Sequence, residues 1–245
     1  MVNAVAAVSS RQAWAVTGKG VIIHTTDGGH HWTVQASRVT GSLASVDFVD
    51  ARHGWVGGAG GVILRTTDGG RRWISTREKK GGSITQLSFA DADHGIALGN
   101  NNATFLVTHT GGRTWSLQRL PSTDRPTTML MQDAAHGLIV AAGNPEPQCF
   151  STSDGGATWQ LKASIPNGVF GIGPYISLAR SGAQLCTVSA NGAVATSTDG
   201  GATWSNEGVV MGVSMRSVQF AGDNELLISG SLGVMVRDLT AAPLP

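Results

Sequence analysis

The sequence predicts an all-β fold, a β-propeller of about six four-stranded blades whose last blade is incomplete. Three observations predict it. A turn motif of the form (S/T)-x-D-G-G-x-x-W recurs at spacings of 41, 42, 44 and 45 residues. Each repeat contains short β-prone runs separated by glycine-rich turns. The 245 residues are 41% hydrophobic and include 34 glycines, which suits a folded chain of many short strands and tight turns.

Five copies of the turn motif, here called the Asp-box, can be read directly. Its glycine pair allows the positive φ of a tight hairpin between strands three and four of a blade. Its aspartate can accept hydrogen bonds from the backbone of the turn, and its tryptophan can cover the hairpin. In the third copy a threonine takes the aspartate position and makes a weaker version of the bond. The paired residues are Asp27 and Trp32, Asp68 and Trp73, Thr110 and Trp115, Asp154 and Trp159, and Asp199 and Trp204.

The repeat period divides the chain into six blades within a single domain, 1–245. A sixth unit is recognisable from Ser217–Phe220 and Leu226–Gly230, which match strands one and two, but it has no Asp-box and no evident fourth strand. Atypical terminal units are common in repeat folds. The predicted blades are 1–41, 42–82, 83–124, 125–167, 168–211 and 212–245.

Charge and composition exclude several classes of function. The net charge is +1 and the pI is about 7.9, so nucleic acid and anionic membranes are not expected partners. No apolar run approaches the roughly 20 residues of a membrane span, and Met1–Ser10 lack the pattern of a signal peptide. Cys149 and Cys186 have no metal-ligand spacing. We expect both to be buried apolar side chains, with a disulfide or a reactive thiol as the alternative.

Three aspartate–histidine pairs recur three residues apart in successive repeats. Such pairs can serve metal binding or acid–base chemistry. The repeat, however, places them on different blades, so we interpret them as local turn residues, and the Asp-box aspartates likewise. Neither a metal nor a cofactor is expected. The pairs are Asp50 and His53, Asp91 and His94, and Asp133 and His136.

A glycosidase is the enzymatic alternative, because several carbohydrate-active propellers share the Asp-box. Such an enzyme needs two carboxyl groups about 5–10 Å apart. Outside the repeat positions no pair of acidic residues forms a suggestive local motif. The single tyrosine, Tyr175, lies in a segment that departs from the repeat, and we interpret it as a packing residue. The chain is therefore expected not to be an enzyme.

Basic residues are distributed unevenly among the blades. The two residues that precede the box tryptophan are His30 and His31, then Arg71 and Arg72, and then Arg113 with a threonine; the next two copies have alanine and threonine there. Neighbouring blades would place these groups along one edge, which suits a partner with an acidic surface. An ordinary solvated rim is the alternative. Arg65 and His24, in strand three, form a second predicted cluster toward the channel.

The full repeat reads approximately Val-x-Phe-x-Asp-x-x-His-Gly-Trp-x-x-Gly-x-x-Gly-x-Ile-x-x-Thr-x-Asp-Gly-Gly-x-x-Trp, most completely from Val46 to Trp73. This pattern resembles the photosystem II stability/assembly factor family. The resemblance implies a non-enzymatic scaffold that binds another protein, usually in an exported or lumenal compartment. A structural module of a larger exported protein is a further alternative.

Overall fold

The computed structural model describes residues 1–78, 82–100, 104–166, 174–210 and 212–240. These residues form β-strands, connecting turns and one short 3₁₀ turn, Ala59–Gly61. The strands are β1 Val2–Ala7, β2 Ala13–Thr17, β3 Ile22–Thr25, β4 Thr33–Gln35, β5 Leu43–Phe48, β6 Gly54–Gly58, β7 Val62–Thr66, β8 Ile74–Arg77, β9 Ile84–Phe89, β10 Gly95–Gly99, β11 Thr104–Thr108, β12 Ser116–Arg119, β13 Arg125–Met131, β14 Gly137–Ala142, β15 Gln148–Thr152, β16 Gln160–Ser164, β17 Tyr175–Ser181, β18 Gln184–Ser189, β19 Ala193–Ser197, β20 Ser205–Val209, β21 Met215–Phe220, β22 Glu225–Gly230 and β23 Gly233–Asp238.

The predicted fold class is confirmed. The strands form six antiparallel sheets, in each of which the strands lie side by side in chain order. Five sheets have four strands, and the sixth, β21-β22-β23, has three. These sheets are the blades of a β-propeller, and the incomplete last blade is the one that lacks an Asp-box.

The chain divides into two compact units. The first unit contains blades one to three and two turns of blade four, as residues 1–119, 131–137 and 153–158. The second unit contains the rest of blade four and blades five and six, as residues 120–130, 138–152 and 159–245. The single domain and the blade boundaries inferred from the sequence stay predictions.

Tryptophans of strand two join successive blades of the first unit. Trp14 stacks on Phe48 of the next blade with ring centroids 3.7 Å apart, and its indole N–H donates to the carbonyl of Gly69 at 3.2 Å. Trp55 repeats the arrangement one blade later, 3.5 Å from Phe89, and donates to Gly111 at 2.9 Å. Each indole therefore links apolar packing to the Asp-box turn of the following blade.

In the second unit, apolar clusters also join successive blades, but strand two contributes no tryptophan to them. Cys149 is fully buried in the cluster between blades four and five, and Cys186 in the cluster between blades five and six. Both are free thiols, and burial raises the pKa of Cys149 to about 12. Tyr175 is also fully buried, and its hydroxyl has no hydrogen-bond partner among the described residues. The three side chains therefore pack in the apolar interior, as the sequence predicts for Cys149, Cys186 and Tyr175.

A second link between blades runs along the first strands. Asp47 accepts a hydrogen bond from the backbone N–H of Phe89 at 2.6 Å. Serine hydroxyls accept equivalent bonds elsewhere, for example Ser45 from Leu87 and Ser88 from Met131. Part of the Asp47 residue remains accessible to solvent, but burial of its carboxyl raises the pKa to about 6. Among the described hydrogen bonds of this kind, the one accepted by Asp47 of blade two is thus the one whose acceptor can ionise.

Candidate functional site

The Asp-box turn is a closed network of hydrogen bonds, seen most simply in blade five. Asp199 accepts from the backbone N–H of Thr203 at 2.9 Å and from the hydroxyls of Ser197 and Thr203 at 2.8 and 2.6 Å. The two glycines, Gly200 and Gly201, have φ of 69° and 90°, where a side chain would be strained. These bonds lower the pKa of Asp199, and they hold the carboxylate in its own turn.

Blades one and three carry variants of the same network. In blade one the ring of His31 replaces the threonine hydroxyl, with Nδ1 2.6 Å from a carboxylate oxygen of Asp27. In blade three the hydroxyl of Thr110 accepts from the backbone N–H of Thr114 at 3.0 Å. The turn therefore keeps its shape with a weaker acceptor.

The aspartate–histidine pairs form the turn between strands one and two. Asp50 accepts from the backbone N–H groups of Arg52 and His53 at 2.6 and 2.7 Å, and its other oxygen lies 2.8 Å from Nδ1 of His53. His94 and His136 make the same contacts with Asp91 and Asp133. Among the described residues, no group of three or more His, Cys, Asp or Glu side chains could hold a metal ion. The pairs are local turn residues.

A cleft of about 390 Å³ lies between blades one and two of the first unit. His24, from strand three of blade one, stacks on Trp14 with centroids 4.5 Å apart, and burial lowers its pKa. A neutral imidazole is thus favoured there. Blade two contributes two arginines, and no ion pair within the described residues involves either one. The lining residues are Gln12, His24, Thr26, Gln35, Ala51, Arg52, Asp68, Gly69 and Arg71. We call this the first basic cleft.

The second basic cleft, of about 240 Å³, occupies the same position one blade later. Arg65 takes the place of His24, and its Nε is buried without a hydrogen-bond partner among the described residues. Arg113 takes the place of Arg71, and one of its terminal nitrogens lies 3.9 Å from Asp93. The lining residues are His53, Trp55, Arg65, Thr66, Thr67, Ala92, Asp93, Thr110, Gly111 and Arg113.

The structure regroups the predicted basic residues. The sequence predicts that His24 and Arg65 form a cluster separate from the box arginines, whereas in the structure each joins the box arginine of the next blade in one cleft. Arg52, which sequence reasoning did not single out, lines the first basic cleft with Arg71. Its only signal in the sequence is its position between Asp50 and His53, inside a repeated turn.

Three of the predicted basic residues line neither cleft. The imidazole of His31 is bound to Asp27 of its own Asp-box. His30 and Arg72 are exposed, and Arg72 contributes its backbone N–H, at 3.0 Å, to the Asp68 turn. We therefore take the two clefts as the candidate site, and a role of His30, His31 and Arg72 in binding stays a prediction.

The second unit has a corresponding cleft of different chemistry between blades five and six. It has a volume of about 180 Å³, and Thr196 stands where Arg65 stands in blade two. Its only charged lining residue is Glu207, which accepts a hydrogen bond from the Thr196 hydroxyl at 2.7 Å. Positive charge thus distinguishes the two clefts of the first unit from this one.

These observations define the protein as an Asp-box β-propeller with cationic clefts between blades one to three. A family model described as photosynthesis system II assembly factor YCF48 matches residues 78–234. The chain belongs to this family. A search of the curated proteins finds no match to the sequence. No described helix has the length and apolar character needed to cross a membrane.

Solved structures with the same fold include members of this family and an enzyme. A structure titled "YCF48 bound to D1 peptide" has 19% sequence identity and a TM-score of 0.72, with coverage of 98% of this chain and 79% of that chain. YCF48 from Cyanidioschyzon merolae has 18% identity and a TM-score of 0.75, with coverage of 96% and 81%. The GH74 enzyme of Niastella koreensis has 18% identity and a TM-score of 0.73, with coverage of 99% and 46%. At these identities the likeness shows the fold alone.

Proposed function

We propose that this chain is a non-enzymatic propeller that binds a protein partner through acidic groups placed in the first and second basic clefts. The observation that carries the proposal is the pairing, in each cleft, of a guanidinium from the Asp-box with a second basic side chain. Guanidinium groups bind carboxylates in a planar, two-bonded geometry and are weakly hydrated, which suits them to recognition of acidic side chains or a chain terminus.

In the first basic cleft the two arginines are not held in ion pairs of their own. Asp68 lines the first basic cleft, and its carboxylate accepts from the Arg72 backbone and the Thr66 hydroxyl; these bonds, together with the nearby charge of Arg71, lower its pKa. Arg52 and Arg71 make no ion pair within the described residues. In the first basic cleft a partner carboxylate would therefore meet two guanidinium groups that make no ion pair within the described residues. In the second basic cleft it would compete with Asp93 for Arg113.

Membership of the family and a structure titled "YCF48 bound to D1 peptide" support a protein partner. The glycosidase alternative rests on the fold of the GH74 enzyme, which at 18% identity specifies no activity. The Asp-box carboxylates that could suggest acid–base chemistry are held by their own turns.

The proposal is tested with a fluorescent hexaglutamate peptide as the probe and a hexalysine peptide as its control. Wild-type protein should bind hexaglutamate alone, more weakly at higher salt. The variant Arg71→Glu with Arg113→Glu should lose about tenfold or more in affinity, because each reversal replaces an attractive charge by a repulsive one.

Two further arginine variants separate a cleft from a general charge effect. Arg72→Glu reverses a charge one residue from Arg71 but outside the cleft. Arg216→Glu reverses an exposed charge in the second unit. Both should bind hexaglutamate within about threefold of wild type, the loss expected of a screened surface charge. Equal losses in all variants, or none in the double variant, would reject the clefts as the binding site.

A further inference from the structure

One position of the repeat gives the two basic clefts different chemistry. The strand-three residue that lies three places before the Asp-box aspartate is His24 in blade one and Arg65 in blade two. Each of these side chains lines the cleft between its own blade and the next. A guanidinium keeps its charge in this setting, whereas an imidazole gains or loses a charge between about pH 5 and pH 8. The charge of the first basic cleft can therefore follow the protonation of one side chain.

The ring of His24 is held by neutral groups of its own blade. One face stacks on Trp14, with centroids 4.5 Å apart and ring planes inclined by 17°. Nε2 of the ring lies 3.2 Å from the side-chain nitrogen of Gln12. An amide nitrogen donates to a neutral ring, and the same amide turned over presents its oxygen to a protonated one. Gln12 can therefore accompany His24 in either protonation state.

Blade two supplies the charged groups that face His24 across the first basic cleft. They are the guanidinium groups of Arg52 and Arg71 and the carboxylate of Asp68, which is bound within its own turn. Among the described lining residues of blade one, His24 is the one that can carry a charge. Two cations in the same cleft oppose a third, and burial lowers the pKa of His24 in the same sense. The cleft on its own therefore favours the uncharged ring.

We propose that His24 determines the specificity of the first basic cleft, because its ring takes up a proton when a carboxylate of an acidic partner enters. This inference rests on the proposed function and adds a regulation of the same site. A carboxylate placed beside Arg52 and Arg71 offsets their repulsion and favours the imidazolium form of His24. Since coupling between two ligands is reciprocal, protonation of the ring strengthens the binding of the carboxylate. The first basic cleft thus binds acidic groups more tightly in mild acid.

The second basic cleft also has a histidine, but it is held by an acidic partner. Nδ1 of His53 lies 2.8 Å from a carboxylate oxygen of Asp50, inside the turn between strands one and two. A positive charge on this ring is therefore balanced within its own turn. Arg65 already supplies a permanent charge at the position that His24 occupies in blade one. The second basic cleft should consequently depend less on pH than the first.

The experiment isolates the first basic cleft with the variant Arg113→Glu, which reverses a charge that lines only the second. The probe is a fluorescent hexaaspartate peptide, because aspartate, with an ordinary pKa of about 3.9, stays ionised between about pH 6 and pH 8. Fluorescence anisotropy at constant ionic strength measures its affinity across this range. The affinity should be about fivefold or more higher at pH 6 than at pH 8, since a nearby opposite charge raises a pKa by about one unit or more.

Two variants of His24 in the same Arg113→Glu background fix the charge of the ring position. His24→Arg copies blade two, so its affinity should be high and should change less than about twofold between pH 6 and pH 8. His24→Gln keeps a polar side chain without the charge, so its affinity should stay low and equally constant. Calorimetry in buffers of different ionisation enthalpy should detect proton uptake on binding near pH 7 in the parent and neither in His24→Arg nor in His24→Gln. A purely structural role of His24 would not produce this uptake.

Three results would overturn the proposal. Binding that is equally strong at pH 6 and pH 8 would show that His24 does not couple to the ligand. An unchanged pH dependence in His24→Gln would assign it to another group, such as Asp47, which is present in all these proteins. Absence of hexaaspartate binding to wild-type protein at every pH would instead reject the proposed function, and this inference with it.

Discussion

The carboxyl group of Asp47 makes a specific prediction about stability and pH. Burial raises its pKa from the ordinary value of 3.8 to about 6 against the opposing effect of hydrogen bonds from Phe89 and Phe48. A group with a raised folded pKa holds its proton more tightly in the folded state, so folding is favoured most when the group is protonated. The contribution is fully present below pH 3.8 and is lost as the pH rises through about 6.

The variant Asp47→Asn removes the ionisation while keeping an oxygen that can accept from Phe89. The difference between 3.8 and about 6 corresponds to about 3 kcal/mol, at about 1.4 kcal/mol for each tenfold change in proton affinity. This is an upper bound, because part of Asp47 remains accessible to solvent. At pH 8 the variant should be more stable than wild type by up to about 3 kcal/mol.

Urea unfolding of both proteins from pH 4 to pH 8 measures this difference directly. The gain in stability should shrink as the pH falls and level off near pH 4. Asp-box carboxylates, whose pKa values are lowered, lose their contribution only in stronger acid and do so equally in both proteins. Asp223→Asn makes the same substitution at an exposed carboxylate and serves as the matched control. A pH-independent difference for Asp47→Asn, or a less stable variant at pH 8, would refute the reasoning.

Two further predictions concern the Asp-box itself. The buried hydroxyl of Thr66 accepts from the backbone N–H of Gly70 at 2.9 Å and donates to Asp68 at 2.8 Å, so Thr66→Val should destabilise the fold by about 1–3 kcal/mol, the cost of an unsatisfied buried donor. Denaturation showing a loss below the experimental error would contradict this. Thr110→Asp should restore a carboxylate acceptor for the backbone and hydroxyl of Thr114 and raise stability by about 0.5–1.5 kcal/mol. A lower melting temperature would show that the carboxylate does not enter the network.

The fold could be predicted because the Asp-box combines a strict local geometry with a regular period. Glycines at positive φ, as at Gly200 and Gly201, and an acceptor such as Asp199 leave few sequences able to form this turn. The last blade, which has three strands among the described residues, could be recognised as incomplete for the same reason, since its repeat shows no Asp-box. Local chemistry repeated at a fixed spacing is therefore sufficient to specify blades and their number.

The candidate site was less accessible from sequence because it depends on how one blade packs on the next. His24 and Arg71 are far apart in the chain, and only the stacking of Trp14 on Phe48 brings their blades into one cleft. Arg52 was missed because the turn that contains it recurs in blades three and four, whereas an arginine at this position does not. His31 was assigned to the basic edge although its ring completes its own turn, a role that threonine takes in blade five.

The central claim is that the charge of the two basic clefts selects the partner, and reversal of that charge tests it most directly. Wild type and the variant Arg71→Glu with Arg113→Glu are titrated side by side with hexaglutamate and hexalysine. Replacing one cation in each cleft by a carboxylate should lower the affinity for hexaglutamate about tenfold or more and should raise the affinity for hexalysine. A variant that keeps its affinity for hexaglutamate, or a wild type that binds both peptides equally, would contradict the account.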